Sequence, residues 1–166
     1  MLSELMTGET CAKCKYCCSF KKTSLWEVPT FPADSFKKLV KDTDCKYIIE
    51  KAGRCSYGKP DLVDEYLSNN SEEEVPCPFL DMETGCRLGP DEKPFDCKLW
   101  PLRVMKKDGH LLLTMSIACP SIMTWELEQL RSYAQEKLRG PVRAYVDKHP
   151  YVVKDMMEGY VALIEI

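Results

Sequence analysis

The chain has 166 residues, a formal net charge of −3 at pH 7, and 10 cysteines against only 2 histidines. With 45% hydrophobic and 30% charged residues its composition is that of a globular domain, not a disordered or collagen-like chain; area scaling lets about 70% of its surface be buried, so the cysteines are not needed to rescue an undersized core. The mildly acidic balance speaks against a general nucleic-acid binder, and no apolar run approaches the roughly 20 residues of a membrane span.

Met1 to Thr10 has neither a basic start nor an apolar stretch, so no secretory signal is read there and the expected location is cytoplasmic. In that compartment structural disulfides are rare, and clustered cysteines more often bind metal or do redox chemistry. Cys11, Cys14, Cys17 and Cys18 follow as a C-x2-C-x2-C-C run. Thr30 to Lys41 reads as a short helix: Thr30 can cap it, Pro32 suits the first turn, and Phe36, Leu39 and Val40 share a face. Cys45 and Cys55 flank Tyr47 to Gly53, a candidate small β-hairpin, and Ser68 to Glu74 (SNNSEEE) reads as a solvated loop. Cys77, Cys86 and Cys97 form a middle group.

The clearest β signal runs from Pro101 to Ala118. There Leu111, Leu113, Met115 and Ile117 alternate with Leu112, Thr114 and Ser116 after a Lys107-Asp108-Gly109 turn, which predicts a hairpin. Cys119-Pro120 follows, then Met123, Leu127, Leu130, Ala134 and Leu138 at helical spacing, ended by Gly140-Pro141. A further helix is predicted over about Pro141 to His149, stopped by Pro150, and Tyr160 to Ile166 can add a strand to the hairpin. The expectation is one α+β domain over residues 1–166: a small sheet, several helices and long cysteine-bearing loops organised by metal, with a cysteine region at 11–119 and a helical and strand extension at 120–166.

A C-x2-C turn aims two sulfurs at one ion while its backbone N–H groups point towards them, which is why the spacing recurs in zinc and iron–sulfur sites. Adjacent Cys17 and Cys18 project apart, which favours different ions, different atoms of one cluster, or a spare reactive thiol. The run begins like a bacterial ferredoxin motif, but Lys21 stands where a fourth cysteine is needed, so remote cysteines must complete the site. Cys77 and Cys119 each precede a proline, and Cys86 and Cys97 sit in turn-rich chain. The candidate ligands are therefore Cys11, Cys14, Cys17, Cys18, Cys77, Cys86, Cys97 and Cys119.

The C-x2-C-x2-C-C run, Cys77-Pro78-Phe79-Leu80, Gly85-Cys86 and Lys93-Pro94-Phe95-Asp96-Cys97-Lys98-Leu99-Trp100-Pro101 together resemble the CxxCxxCC cysteine-cluster proteins. This is the YkgJ-type family of zinc- or iron-chelating domains, and the likeness covers about Cys11 to Cys119. Three places depart from the usual pattern: Arg87-Leu88-Gly89 stands for x-Ile-Tyr, and Lys93 and Lys98 replace arginines, keeping charge but losing the planar guanidinium fork. The resemblance implies metal chelation by zinc or an iron–sulfur cluster. A more distant similarity to the flagellin lysine methylase, which has a similar motif and is associated with an iron–sulfur cluster, implies an iron-dependent enzyme as the alternative; a metal-linked thiol redox switch at Cys17 and Cys18 is the third reading.

The remaining residues receive plainer roles. Cys45 and Cys55 read as buried thiols or a cross-strand pair outside the ligand set. Lys13, Lys15, Lys21 and Lys22 either offset thiolate charge or are ordinary solvated lysines. His110 and His149 lack ligand spacing, and two histidines rule out a three-histidine hydrolytic zinc site. Trp26, Trp100 and Trp125, with Met105, Met115, Met123, Met156 and Met157, are read as core filler. Apart from metal or cluster, no partner is specified: no nucleic acid and no membrane are expected.

Overall fold

The computed structural model describes residues 13–63 and 74–166. Cys11, the Met1 to Thr10 segment and the SNNSEEE loop up to residue 73 lie outside the described residues. The fold is α+β. The chain divides into two compact units, Gly8–Cys97 and Lys98–Ile166, and this boundary falls inside the 11–119 cysteine region.

The first unit is built from short strands. Strand β1 (Ser19–Phe20) pairs antiparallel with β5 (Val75–Pro76), and β2 (Phe31–Pro32), β4 (Cys55–Pro60) and β3 (Tyr47–Ala52) form a sheet in the order β2-β4-β3. Strands β3 and β4 are a hairpin closed by a two-residue turn in which Gly53 takes φ 59°, a left-handed angle that glycine adopts without a Cβ clash. Strands β6 (Leu80–Asp81) and β7 (Gly85–Cys86) make a minimal ribbon.

Helix α1 (Ala33–Val40) is shorter than the Thr30 to Lys41 span its periodicity predicts, because Phe31 and Pro32 are taken into β2. Thr30 does not cap this helix. Its backbone N–H and hydroxyl both donate to the buried Asp96 carboxylate, at 2.9 and 2.7 Å, and that partnership replaces the expected cap. Phe36 and Val40 lie one turn apart on the buried face of α1 and join Phe31, Phe79 and Leu88 in one cluster. The Phe31 and Phe36 rings stack with centroids 4.5 Å apart, and Phe79 meets both edge-on. Gly58, in the central strand, makes this approach possible: a Cβ there would fall 2.5 Å from Phe36 Cδ1.

The second unit is more regular. Strands β8 (Leu102–Lys107) and β9 (His110–Ser116) form the predicted hairpin, with Asp108 and Gly109 both at positive φ, the geometry of a tight Asp-Gly turn. Strand β10 (Lys154–Asp155) adds parallel to β8, and β11 (Tyr160–Glu165) adds antiparallel to β9 with an irregularity between Ala162 and Ile164. The order is β10-β8-β9-β11. Burial only partly follows the predicted alternation: Leu113 and Met115 are buried, but so are Thr114 and Ser116, while Ile117 is exposed. Both faces of the sheet are covered there, and Thr114 settles its hydroxyl by donating to the Arg103 carbonyl at 3.0 Å.

A short helix α2 (Phe95–Leu99) spans the boundary of the two units. Helix α3 (Leu127–Tyr133) runs through a wide π turn, Ala134–Leu138, directly into α4 (Arg139–Lys148). Gly140-Pro141 therefore does not end the helix, contrary to its usual effect. Pro141 has no N–H for the carbonyl four residues earlier, and the chain accommodates this by widening the preceding turn, where Arg139 N–H reaches back to the Ala134 carbonyl. Leu130, Ala134, Leu138, Val142 and Val146 line the buried side, with α3 and the π turn against β11. Among the described residues no helix is long and apolar enough to cross a membrane.

Candidate functional site

Backbone pairing in the first unit decides which thiols become neighbours. Tyr16–Cys18 is a single 3-10 turn entered through Lys15 at φ 54°, and Lys15 Nζ donates to the Met82 carbonyl in the β6–β7 turn. The turn leads straight into β1. Its pairing with β5 extends one step further, where Cys77 N–H donates to the Cys18 carbonyl at 2.7 Å. The chain then bends tightly, with Leu80 N–H on the Cys77 carbonyl at 2.9 Å, and the β6–β7 register sets Cys86 opposite Leu80. Asp81 Oδ1 accepts from Glu83 N–H and Thr84 N–H at 2.9 and 2.7 Å, holding the ribbon's turn. Cys18, Cys77 and Cys86 are thus brought into one neighbourhood by backbone that ties together segments almost 60 residues apart in the chain.

The thiols differ in their electrostatics. A hydrogen bond from Cys17 and the positive charge of Lys93 outweigh partial burial and lower the Cys18 pKa to about 7. Cys77 is pushed the other way, to about 12, mainly by burial; its hydrogen bond with the Phe79 backbone opposes this, while the charges of Cys18, Cys86 and Cys45 add to it. Cys45 is raised by burial. Cys18 therefore favours its thiolate at a lower pH than an ordinary cysteine, whereas Cys77 holds its proton to a higher one.

The cation felt by Cys18 is Lys93. Two of the four lysines around the N-terminal motif have other engagements: Lys15 is held on Met82, and Lys21 faces Glu74 at an exposed 3.9 Å, a separation that contributes little. Lys93 is set by a local loop in which its N–H donates to the Gly89 carbonyl at 3.1 Å and Glu92 Oε2 accepts from Gly89 N–H at 2.8 Å.

The other candidate ligands are dispersed. Cys14 and Cys97 are exposed; Cys17 is half-buried; Cys119 is buried and belongs to the second unit; Cys11 lies outside the described residues. Cys97 follows Asp96, whose bonds to Thr30 anchor that stretch of chain. Among the described residues, no three cysteine, histidine, aspartate or glutamate side chains converge closely enough to hold an ion as they stand. The donor set is nevertheless chemically suited to a thiophilic ion: three thiols from three segments, one already acidic and one held back by burial and like charge.

Cys45, which the sequence reads as lying outside the ligand set, is half-buried. It stands at the start of the β3 hairpin arm, packs with Cys77 against the Phe31, Phe36 and Phe79 cluster, and shares with Cys77 the wall of a groove of about 1190 Å³. A cross-strand pairing with Cys55 does not occur, because Cys55 opposes Ala52 while Tyr47 opposes Pro60. At about 3.3 Å per residue the two cysteines sit roughly 20 Å apart along the hairpin, beyond any disulfide.

Histidines and apolar candidates fall out simply. His110 Nδ1 lies 2.8 Å from Glu165 Oε1 at the exposed end of the second sheet, a hydrogen bond that raises its pKa, and His149 packs between Tyr145 and Tyr151, with burial lowering its pKa. Met105 and Met115 are core, but Met123 and Met157 are exposed, as is Trp125. Trp100 is half-buried under the Arg103 guanidinium, 5.3 Å from its ring centroid. Comparison with protein-family models, curated proteins and solved structures finds no match to this chain.

Proposed function

We propose that this is a metal-binding cysteine-cluster protein of the CxxCxxCC type, holding zinc or an iron–sulfur cluster through thiolates drawn from Cys11, Cys14, Cys17, Cys18, Cys77, Cys86, Cys97 and Cys119. The observation that carries the reading is the backbone bond from Cys77 N–H to the Cys18 carbonyl, which puts two thiols of opposite acidity side by side with Cys86 across the adjoining ribbon. Cys18 supplies a ready thiolate, and Cys77 and Cys86 supply further soft donors. The bound ion would give the first unit cross-links between its short strands, and an iron–sulfur cluster would add electron transfer. Thiolate chelation requires reduced cysteines, so the protein works in a reducing compartment, the cytoplasm.

One observation favours a second reading, a thiol redox switch: the Cys17 side chain is hydrogen-bonded to Cys18, whose acidity makes it the more reactive of the adjacent pair. Metal analysis and a visible spectrum of protein purified without oxygen separate the possibilities. Stoichiometric metal supports chelation, with a band that bleaches on reduction marking iron–sulfur and a colourless metalloprotein marking zinc. Metal-free, fully folded protein whose thiols all react contradicts it, and reversible oxidation of Cys17 and Cys18 in that protein establishes the switch.

A further inference from the structure

We propose that the free edge of β3 is a self-association surface, at which a second copy of this chain adds its own β3 antiparallel about a two-fold axis at Ile48. The proposal stands apart from metal binding and does not depend on it.

An unblunted sheet edge offers a row of backbone donors and acceptors to another chain. Among the described residues, the other strands that end a sheet are two residues long, except β11, whose pairing is interrupted between Ala162 and Ile164. Strand β3 has six residues, no proline and an uninterrupted register with β4. That register also fixes where its backbone points. The hairpin closes at Ala52 and Cys55, and Asp61 N–H donates to the Lys46 carbonyl at 2.9 Å, so Lys46, Ile48, Glu50 and Ala52 occupy the hydrogen-bonded positions towards β4. Tyr47, Ile49 and Lys51 therefore direct their N–H and C=O groups to the free side.

The side chains at this edge are apolar and only part-covered. Tyr47 and Ile49 share the α1 side of the sheet, where Phe36 meets the Tyr47 ring edge-on with centroids 5.6 Å apart, yet they keep 42% and 38% of their surface exposed. The sequence of β3 is complementary to itself in one antiparallel register. With the axis at Ile48, Tyr47 of each copy faces Ile49 of the other and exchanges N–H···O bonds with it; Ile48 faces Ile48, and Lys46 faces Glu50, in the closer pairs between. An aromatic against a β-branched residue and opposite charges across the junction are the stabilising cross-strand combinations. A one-residue slip sets outward backbone groups against inward ones. Slips of two residues place Glu50 against Ile48, losing the ion pair, or against Asp44, replacing it with repulsion. Charge complementarity thus points to a second copy, joined isologously into one sheet running β2-β4-β3 and then β3-β4-β2. One short strand from each copy makes a small interface, below about 1,200 Å², so the association is weak and concentration-dependent.

The test is analytical ultracentrifugation of the full chain from about 10 to about 500 μM, with a thiol reductant present so that no disulfide links two copies. Wild type should pass from monomer towards dimer over that range. Lys46→Glu and Glu50→Lys should each weaken dimerisation about tenfold or more, and the double variant, which restores opposite charges across the junction, should recover most of it. Residue-resolved amide exchange of wild type decides the matter if a variant does not fold. The Tyr47 and Ile49 amides should gain protection about twofold or more from the lowest to the highest concentration, while the Ile48 and Glu50 amides, bonded within the hairpin, stay unchanged. Wild type that remains monomeric throughout, including one that takes up an unrelated extended peptide at β3 instead, overturns the proposal. So does a dimer indifferent to Lys46→Glu, or exchange at Tyr47 and Ile49 that ignores concentration.

Discussion

The two units reach order by different routes. In Lys98–Ile166, strands of six and seven residues pair along their length, and a nearly continuous helical run buries one apolar face against the sheet. In Gly8–Cys97, several strands are only two residues long, and eight of the nine described cysteines reside there. A two-residue ladder supplies few hydrogen bonds and little side-chain packing. The contrast teaches that the first unit leans on concentrated tertiary contacts, the Phe31, Phe36 and Phe79 cluster and the Asp96 anchor, with the thiols as its proposed third device.

Each device offers a way to break the comparison. The largest effect is expected from Phe36→Ala, which removes a fully buried ring touching Phe31, Phe79 and Tyr47. A loss of about 3–5 kcal/mol should unfold the first unit in mild denaturant, followed by near-UV circular dichroism, while amides of β8 and β9 stay protected. Next is Cys77→Ser, which removes the thiol whose backbone is bonded to Cys18 and should weaken metal affinity about a hundredfold or more in competition titrations, whereas Cys55→Ser should leave it unchanged. Thr30→Val deletes one of the two bonds to the buried Asp96 carboxylate and should cost the first unit about 1–3 kcal/mol in urea unfolding.

The smallest change concerns acidity. In metal-free protein the alkylation rate of Cys18 should rise with a midpoint near pH 7, and Lys93→Gln should move that midpoint upward by removing a cation that favours the thiolate. The same shifts set the pH dependence of stability. Cys18, lowered from its ordinary 9.0 to about 7, contributes stability that is complete above 9.0 and lost as pH falls through 7. Cys77, raised to about 12, contributes below 9.0 and loses that contribution as pH climbs towards 12. Metal-free first unit should therefore weaken in both directions from the ordinary thiol value, measured by thermal melts across the range.

Legibility in the sequence tracks how local the determining interactions are. The β8–β9 hairpin, the final strand and the helical spacing from Leu127 onward follow from turn residues and periodicity within a dozen positions. Thr30 looked like a helix cap because its true partner, Asp96, is 66 residues away. Gly140-Pro141 reads as a stop, yet a packed face on both sides carries the helix through it. At the site, the C-x2-C-x2-C-C run and a Cys-Pro pair mark Cys18 and Cys77, but nothing adjacent in the chain marks Lys93. Lys93 enters through tertiary approach, its charge helping to lower the Cys18 pKa.

The most direct test is residue-resolved hydrogen exchange on anaerobically purified protein, before and after a strong chelator removes metal. The account predicts that amides around Cys18, Cys77 and Cys86 lose protection by at least tenfold on chelation while the β8, β9 and β11 amides are unchanged. Identical exchange in the first unit with and without chelator would contradict it.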